Sequence, residues 1–277
     1  MKYAVVTTFN QTGLEQYANR MITTWLANWP REVELWCYAE NCRVEHTAPN
    51  LHVQDIHLSC PALVRFKQQW GSVPKARGDV MSVPHLQHRK DRHKSFKWDA
   101  IRFAHKVYAV FACAQECRAD WLLWMDADMV CHSPITLADI DRMCPQDRDL
   151  CYLGRQHKYS ECGLYAMNLQ HSVTREFLAD FQRAYDDAEH GIFQMQEWHD
   201  SFVFDEVRVR HALRSLDWAA DLGDLRRSPR NSPGEGHPLI NSEWGRWLDH
   251  LKGDRKTAGR SDLRDLRQPR REGYWQA

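Results

Sequence analysis

The chain has no apolar run approaching the roughly 18–20 residues that a membrane-spanning helix needs. Its opening, MKYAVVTTFN, offers one Lys and a short apolar stretch, too brief for the core of a secretory signal. The nine Cys include no C-x-x-C pair, so zinc-finger spacing is absent. Without a signal segment they read as reduced thiols rather than a disulfide framework, and a cytoplasmic protein is expected. Net charge is also lacking: 37 Lys and Arg balance 37 Asp and Glu. That balance excludes a histone-like polycation or an acidic tail, while leaving room for a local basic groove. No internal repeat, helix-turn-helix or RNP signature occurs, and no linker divides the chain.

What is present is an ordinary globular composition, 43% hydrophobic and 27% charged over 277 residues, with 12 Trp and 15 His. Residues 3–8 (YAVVTT), 33–38 (VELWCY) and 51–56 (LHVQDI) have the composition of strands. Helical spacing precedes Pro30 (Leu14, Tyr17, Met21, Trp25, Leu26), and a further helix is expected over 61–70. From 95 to about 117 the apolar positions Phe96, Ile101, Phe103, Val107, Val110 and Phe111 again predict a helix. WLLWM (121–125) follows as a buried strand. Strands at 150–154 and 163–169 and helices at 173–187 and 196–213 complete the pattern. Strands alternating with helices over the first 130 residues indicate an α/β fold with a largely parallel sheet in that part.

The most informative segment is WLLWMDADMV (121–130). Asp126 and Asp128 would emerge at the carboxyl end of a buried strand, where α/β sheets place ligands. Two carboxylates separated by Ala present hard oxygens to one Mg²⁺ or Mn²⁺ that bridges a diphosphate. The ordinary alternative is a turn or helix cap, since D-x-D is common in loops.

Here the chain resembles the GT-A glycosyltransferases, whose D-x-D ends a central strand and holds the metal of a nucleotide-sugar. His250-Leu-Lys-Gly253-Asp-Arg-Lys256 is similar to the H-x-x-G-x-x-K segment of the glycogenin and bacterial galactosyltransferase group. Thr257-Ala258 stands where that group usually has Pro-Trp. Together with HPLINS (237–242), this segment also resembles compact glycosyltransferases encoded by bacteriophages, some of which glycosylate hydroxymethylated pyrimidines in DNA.

The resemblance implies a single GT-A domain over 1–277, a Rossmann-like mixed central sheet flanked by helices. Residues 1–130 would be its nucleotide-binding half, and 131–277 would carry the acceptor side and the donor-phosphate segment. It implies Asp126, Asp128 and His250 as ligands of Mn²⁺ or Mg²⁺. Gly253 and Lys256 would approach the phosphates of a nucleotide-sugar, a UDP-sugar above all. Thr7, Thr8 and Phe9 would border the base and ribose. Lys97 and Arg102 would place a cation on the donor, unless they only solvate a helix face. Glu161, in the strand segment ECGLYAMN, and Asp200, in Trp198-His199-Asp200, are candidates for activating or orienting the acceptor hydroxyl. Asp200 comes first, its plain alternative being a helix cap.

Two basic stretches, 71–97 and 252–271, make DNA a possible acceptor partner, with solvated surface as the alternative. An acceptor on a cell-surface glycan or other carbohydrate is the alternative activity. A nucleotidyltransferase would carry a Gly-rich amino-terminal loop, which VVTTFNQTG does not provide. A non-catalytic nucleic-acid-binding protein is the reading from another class.

Overall fold

The computed structural model describes residues 1–79, 95–223 and 237–276. Most of the basic segment 71–97 therefore lies outside the described residues. Seven strands form one sheet: β1 Tyr3–Asn10, β2 Glu34–Glu40, β3 Leu51–Asp55, β4 Trp121–Met125, β6 Leu150–Arg155, β7 Lys158–Asn168 and β8 Ser215–Asp217, in the order β3-β2-β1-β4-β7-β6-β8. The first four in that order are parallel, while β7 runs antiparallel to both β4 and β6. The expected mixed α/β sheet is therefore present, with its parallel part in the amino-terminal half. Two further strands, β5 Met129–Cys131 and β9 Leu248–His250, pair antiparallel outside this sheet.

The continuous apolar run of β4 follows from its central place, because both faces of the sheet are covered. Trp121, Leu123 and Met125 pack into the core on one face, while Leu122 and Trp124 pack into the core on the other. Helix Asn19–Asn28 covers the first face with Met21, Ile22 and Trp25. Helices Pro61–Trp70, Ala100–Glu116 and Ser172–Asp186 cover the second. Among the described residues no helix is long and apolar enough to cross a membrane.

Several boundaries differ from the sequence reading. The helix expected from residue 95 begins at Ala100, because Asp99 leaves helical geometry and its carboxylate accepts from the Arg102 backbone N–H at 3.2 Å. The helix expected over 196–213 spans only Asp200–Arg208. Its cap is His199, whose Nδ1 accepts from the Phe202 N–H, so Asp200 is the first helical residue rather than the cap. β7 starts five residues before the expected 163, extended by its hairpin with β6. All nine Cys are free thiols, buried or half-buried.

The carboxyl-terminal segment is fastened to β9 through Asp249, which is fully buried. Its carboxylate accepts from the Ser261 N–H (2.7 Å), the Ser261 hydroxyl (2.6 Å) and the Tyr274 hydroxyl (2.8 Å). Replacing Asp249 by Ala leaves those donors unpaired, at an expected loss of about 2 kcal/mol. Urea denaturation should report that loss, and limited proteolysis should cut first beyond β9.

Candidate active site

The turn that leaves β4 is pinned by the sheet: the Asp126 N–H donates to the Gly163 carbonyl at 2.9 Å. The chain then enters β5, whose Met129 lies opposite His250 in β9. The Leu251 N–H donates to the Asp128 carbonyl at 2.9 Å, tying the two segments again. This register delivers a buried imidazole to both carboxylates. His250 Nε2 lies 3.1 Å from Asp128 Oδ1 and 3.5 Å from Asp126 Oδ2. One ligand atom from each of the three residues falls within 4.8 Å of the others. Two carboxylates and one imidazole form a donor set suited to a hard divalent cation, with positions left for water or phosphate.

The far side of the imidazole is shaped by β7. His250 Nδ1 lies 3.8 Å from Glu161 Oε1. The ring rests against Gly163, where a Cβ would come within 2.6 Å of His250 Cε1 and 2.8 Å of Nδ1. Glycine is thus the residue that admits this histidine. The His250 carbonyl also accepts from His237 Nε2 at 2.7 Å, fixing the backbone behind the ring.

Every acidic group here has a cationic neighbour. Lys256 Nζ lies 2.9 Å from Asp128 Oδ2 and 4.6 Å from the ring centroid of Tyr17. Burial opposes the charge of Asp128, yet His250 and Lys256 hold its carboxyl below the ordinary value. Trp124 Nε1 donates to Asp126 Oδ1 at 2.7 Å, and Lys106 Nζ lies 3.1 Å from the same oxygen. Enclosure pushes the Asp126 carboxyl up, only partly offset by Lys106 and His250. Lys106 bridges to Asp200 Oδ2 at 2.6 Å and donates to the Cys162 carbonyl. Burial opposes its charge too, but Asp126 and Asp200 hold its ammonium well above the ordinary lysine range. Glu161 is paired with Lys252 and, at 3.4 Å, with Arg155. Despite burial, these two cations and His250 keep it well below the carboxylate range.

These groups line a cleft of ≈ 680 Å³ at the carboxyl ends of β1 and β4. Of the residues singled out in the sequence, Thr8, Phe9, Arg102, Asp126, Asp128, Glu161, Asp200, His250, Gly253 and Lys256 line it together. The Thr8 hydroxyl donates to the Tyr38 carbonyl at 2.7 Å. Gly253 adopts a left-handed backbone, φ 58°, with open space where a Cβ would stand. Thr7 is fully buried and Lys97 pairs with Glu197; neither belongs to the lining. At the β1–β2 edge, a hydrogen bond with His105, opposed by burial and aided by Lys67, holds Glu40 down at about 2.

Lys106 went unnoticed in the sequence although a signal existed: it is a lone cation within the apolar face made by Ala104, Val107, Tyr108 and Phe111. Tyr17 reads as a core residue by spacing, but it lies in a π-helical turn, Leu14–Ala18, and faces the cleft. Arg155 and Lys158 carried no motif, while Lys252 stood at an unassigned position of the H-x-x-G-x-x-K segment.

No protein-family model matches the chain, and no curated protein does. Among solved structures, the bifunctional glycosyltransferase WbbM in its apo form aligns at 10% identity and a TM-score of 0.46. That alignment covers 79% of this chain and 39% of the WbbM chain. Mouse xyloside xylosyltransferase 1, also apo, aligns at 11% identity and 0.43, covering 78% of this chain and 85% of that one. Likenesses at this level leave the functional reading to the chain's own residues.

The close approach of Gly163 to His250 is directly testable. Gly163→Ala should displace the imidazole and weaken Mn²⁺ binding at least tenfold, read by calorimetric titration, while circular dichroism retains the wild-type spectrum.

Proposed function

We propose that the chain is a metal-dependent glycosyltransferase that moves a sugar from a UDP-type nucleotide-sugar to an acceptor hydroxyl. The observation that carries this reading is the convergence of Asp126, Asp128 and His250, with Lys256 beside them, at the end of the central strand. Asp126, Asp128 and His250 would hold Mn²⁺ or Mg²⁺. When bound, the ion supplies positive charge against the oxygens of the departing diphosphate.

The remaining roles fall to the chain itself. Thr8 and Phe9 border the nucleoside, and the Gly253 backbone leaves room for phosphate oxygens beside Lys256. The Lys256 ammonium stabilises negative charge as the bond between the anomeric carbon and the diphosphate oxygen breaks. The new bond forms from that carbon to the acceptor oxygen. Asp200, held by Lys106, accepts a hydrogen bond from the acceptor hydroxyl, orients it and takes up its proton as the new bond forms. Glu161 is paired with Lys252 and Arg155 and lies behind the His250 ring, which favours positioning of that ring over contact with substrate. On this reading one catalytic domain spans 1–277.

Hydroxymethylated DNA is one acceptor consistent with the sequence, and a carbohydrate hydroxyl is the other. Of the eight Lys and Arg within 252–271, five are paired with acids: Arg255, Arg264 and Arg270 with Asp265, Asp262 and Glu272, and Lys252 and Lys256 with site carboxylates. These pairings favour the carbohydrate hydroxyl.

A mass-spectrometric transfer screen of UDP-glucose, UDP-galactose and UDP-GlcNAc against hydroxymethylated DNA and simple glycans tests the reading. Product is expected with Mn²⁺ and not with chelator, and Asp128→Asn should lower the rate at least a hundredfold. Full metal-dependent transfer by Asp128→Asn would contradict the assignment.

A further inference from the structure

Beside Asp200 the cleft has an aromatic wall. His199, the cap of the helix that Asp200 opens, is buried, and its tautomer is fixed. Its Nδ1 accepts from the Phe202 N–H, so Nε2 carries the proton and donates to Glu197 Oε2 at 2.9 Å. Phe96, Phe103 and Tyr159 gather round this anchored ring, with centroids 5.2, 5.8 and 4.4 Å from it. All three line the cleft together with His199 and Asp200.

The three rings are not equally covered. Arg155 and Lys158 lie over Tyr159, 5.1 and 5.0 Å from its centroid, and Arg102 lies 5.6 Å from that of Phe103. Phe96 keeps an open ring surface and is 46% exposed. Of the large apolar residues described as exposed, it alone lines the cleft. Single apolar side chains scattered over a surface need no explanation. A phenyl ring fixed against a buried imidazole, one residue from the group that orients the acceptor, is different. It offers apolar area from which a ligand in the cleft would displace water.

The ligand that suits this wall is amphipathic. A pyranose ring presents a face of C–H bonds, weakly positive and apolar, with its hydroxyls around the rim. An aromatic ring is negative on its face, which matches the C–H side. The rim meets the Asp200 carboxylate and the Tyr159 phenol. Burial, partly offset by Arg155, pushes that phenol up to about 12, so it stays protonated and can donate. An open-chain polyol has the hydroxyls without the face.

We propose that the acceptor is a pyranoside whose C–H face stacks on Phe96 while its hydroxyl meets Asp200. The proposal rests on the glycosyltransferase reading and makes Phe96 the residue that selects a cyclic sugar.

The test is an NMR titration of the full chain, first with UDP and Mg²⁺. The loaded protein is then titrated with the methyl β-pyranosides of glucose, galactose and N-acetylglucosamine, with sorbitol and with 5-hydroxymethyldeoxycytidine. At least one pyranoside is expected to bind at least tenfold more tightly than sorbitol, its ring C–H protons shifting upfield. That preference should be lost in Phe96→Ala and kept in Phe96→Tyr, which separates loss of the ring from loss of fold. Pyranosides that bind no better than sorbitol overturn the proposal alone. So does tighter binding of the nucleoside, or a preference that survives in Phe96→Ala. Failure of UDP and Mg²⁺ to bind at all overturns the reading beneath it.

Discussion

The site depends on three backbone pairs, Met129–His250, Val130–Asp249 and Cys131–Leu248. They bring an imidazole from near the end of the chain against two carboxylates that leave the central strand. Such a contact costs loop-closure entropy, so it must be fastened by more than itself. Leu248 is buried in the core, Asp249 gathers Ser261 and Tyr274, and His237 holds the His250 carbonyl. One short strand thus carries Leu248 in the packing, Asp249 as an anchor and His250 in the cleft.

Buried ions are tolerated only when paired, and the cleft follows that rule. Asp126 and Asp200 share Lys106, Asp128 has Lys256, and Glu161 has Lys252 and Arg155. Four carboxylates therefore face four permanent cations, and these eight groups together form a nearly neutral cluster. A divalent cation alone would add uncompensated positive charge, and a diphosphate alone would add negative charge. Bound together they restore balance, so each should favour the other.

Much of this was legible in the sequence. The apolar run WLLWM ending on Asp126 marked the central strand because a strand buried on both faces has no reason to alternate. The spacing of His250, Gly253 and Lys256 marked the second half of the cluster. What escaped was set by tertiary pairing: strands of three residues such as β5 and β9 are too short for any period to show. Asp99 and His199 shortened two helices through side-chain caps that compete with the apolar pattern. Lys106 is masked by its helix, since one cation in an apolar stripe makes sense only once Asp126 and Asp200 are seen opposite it. Arg155 acquires meaning, as a partner of Glu161, only when the β6–β7 hairpin folds toward the cleft.

In the proposed reading, Asp126, Asp128 and His250 form a divalent-cation site completed by a nucleoside diphosphate. Electron paramagnetic resonance of Mn²⁺, titrated into the protein with and without UDP, tests it most directly. One saturable site is expected, with an affinity that rises at least tenfold when UDP is present. Mn²⁺ that fails to bind, or binds equally well with and without UDP, would contradict it.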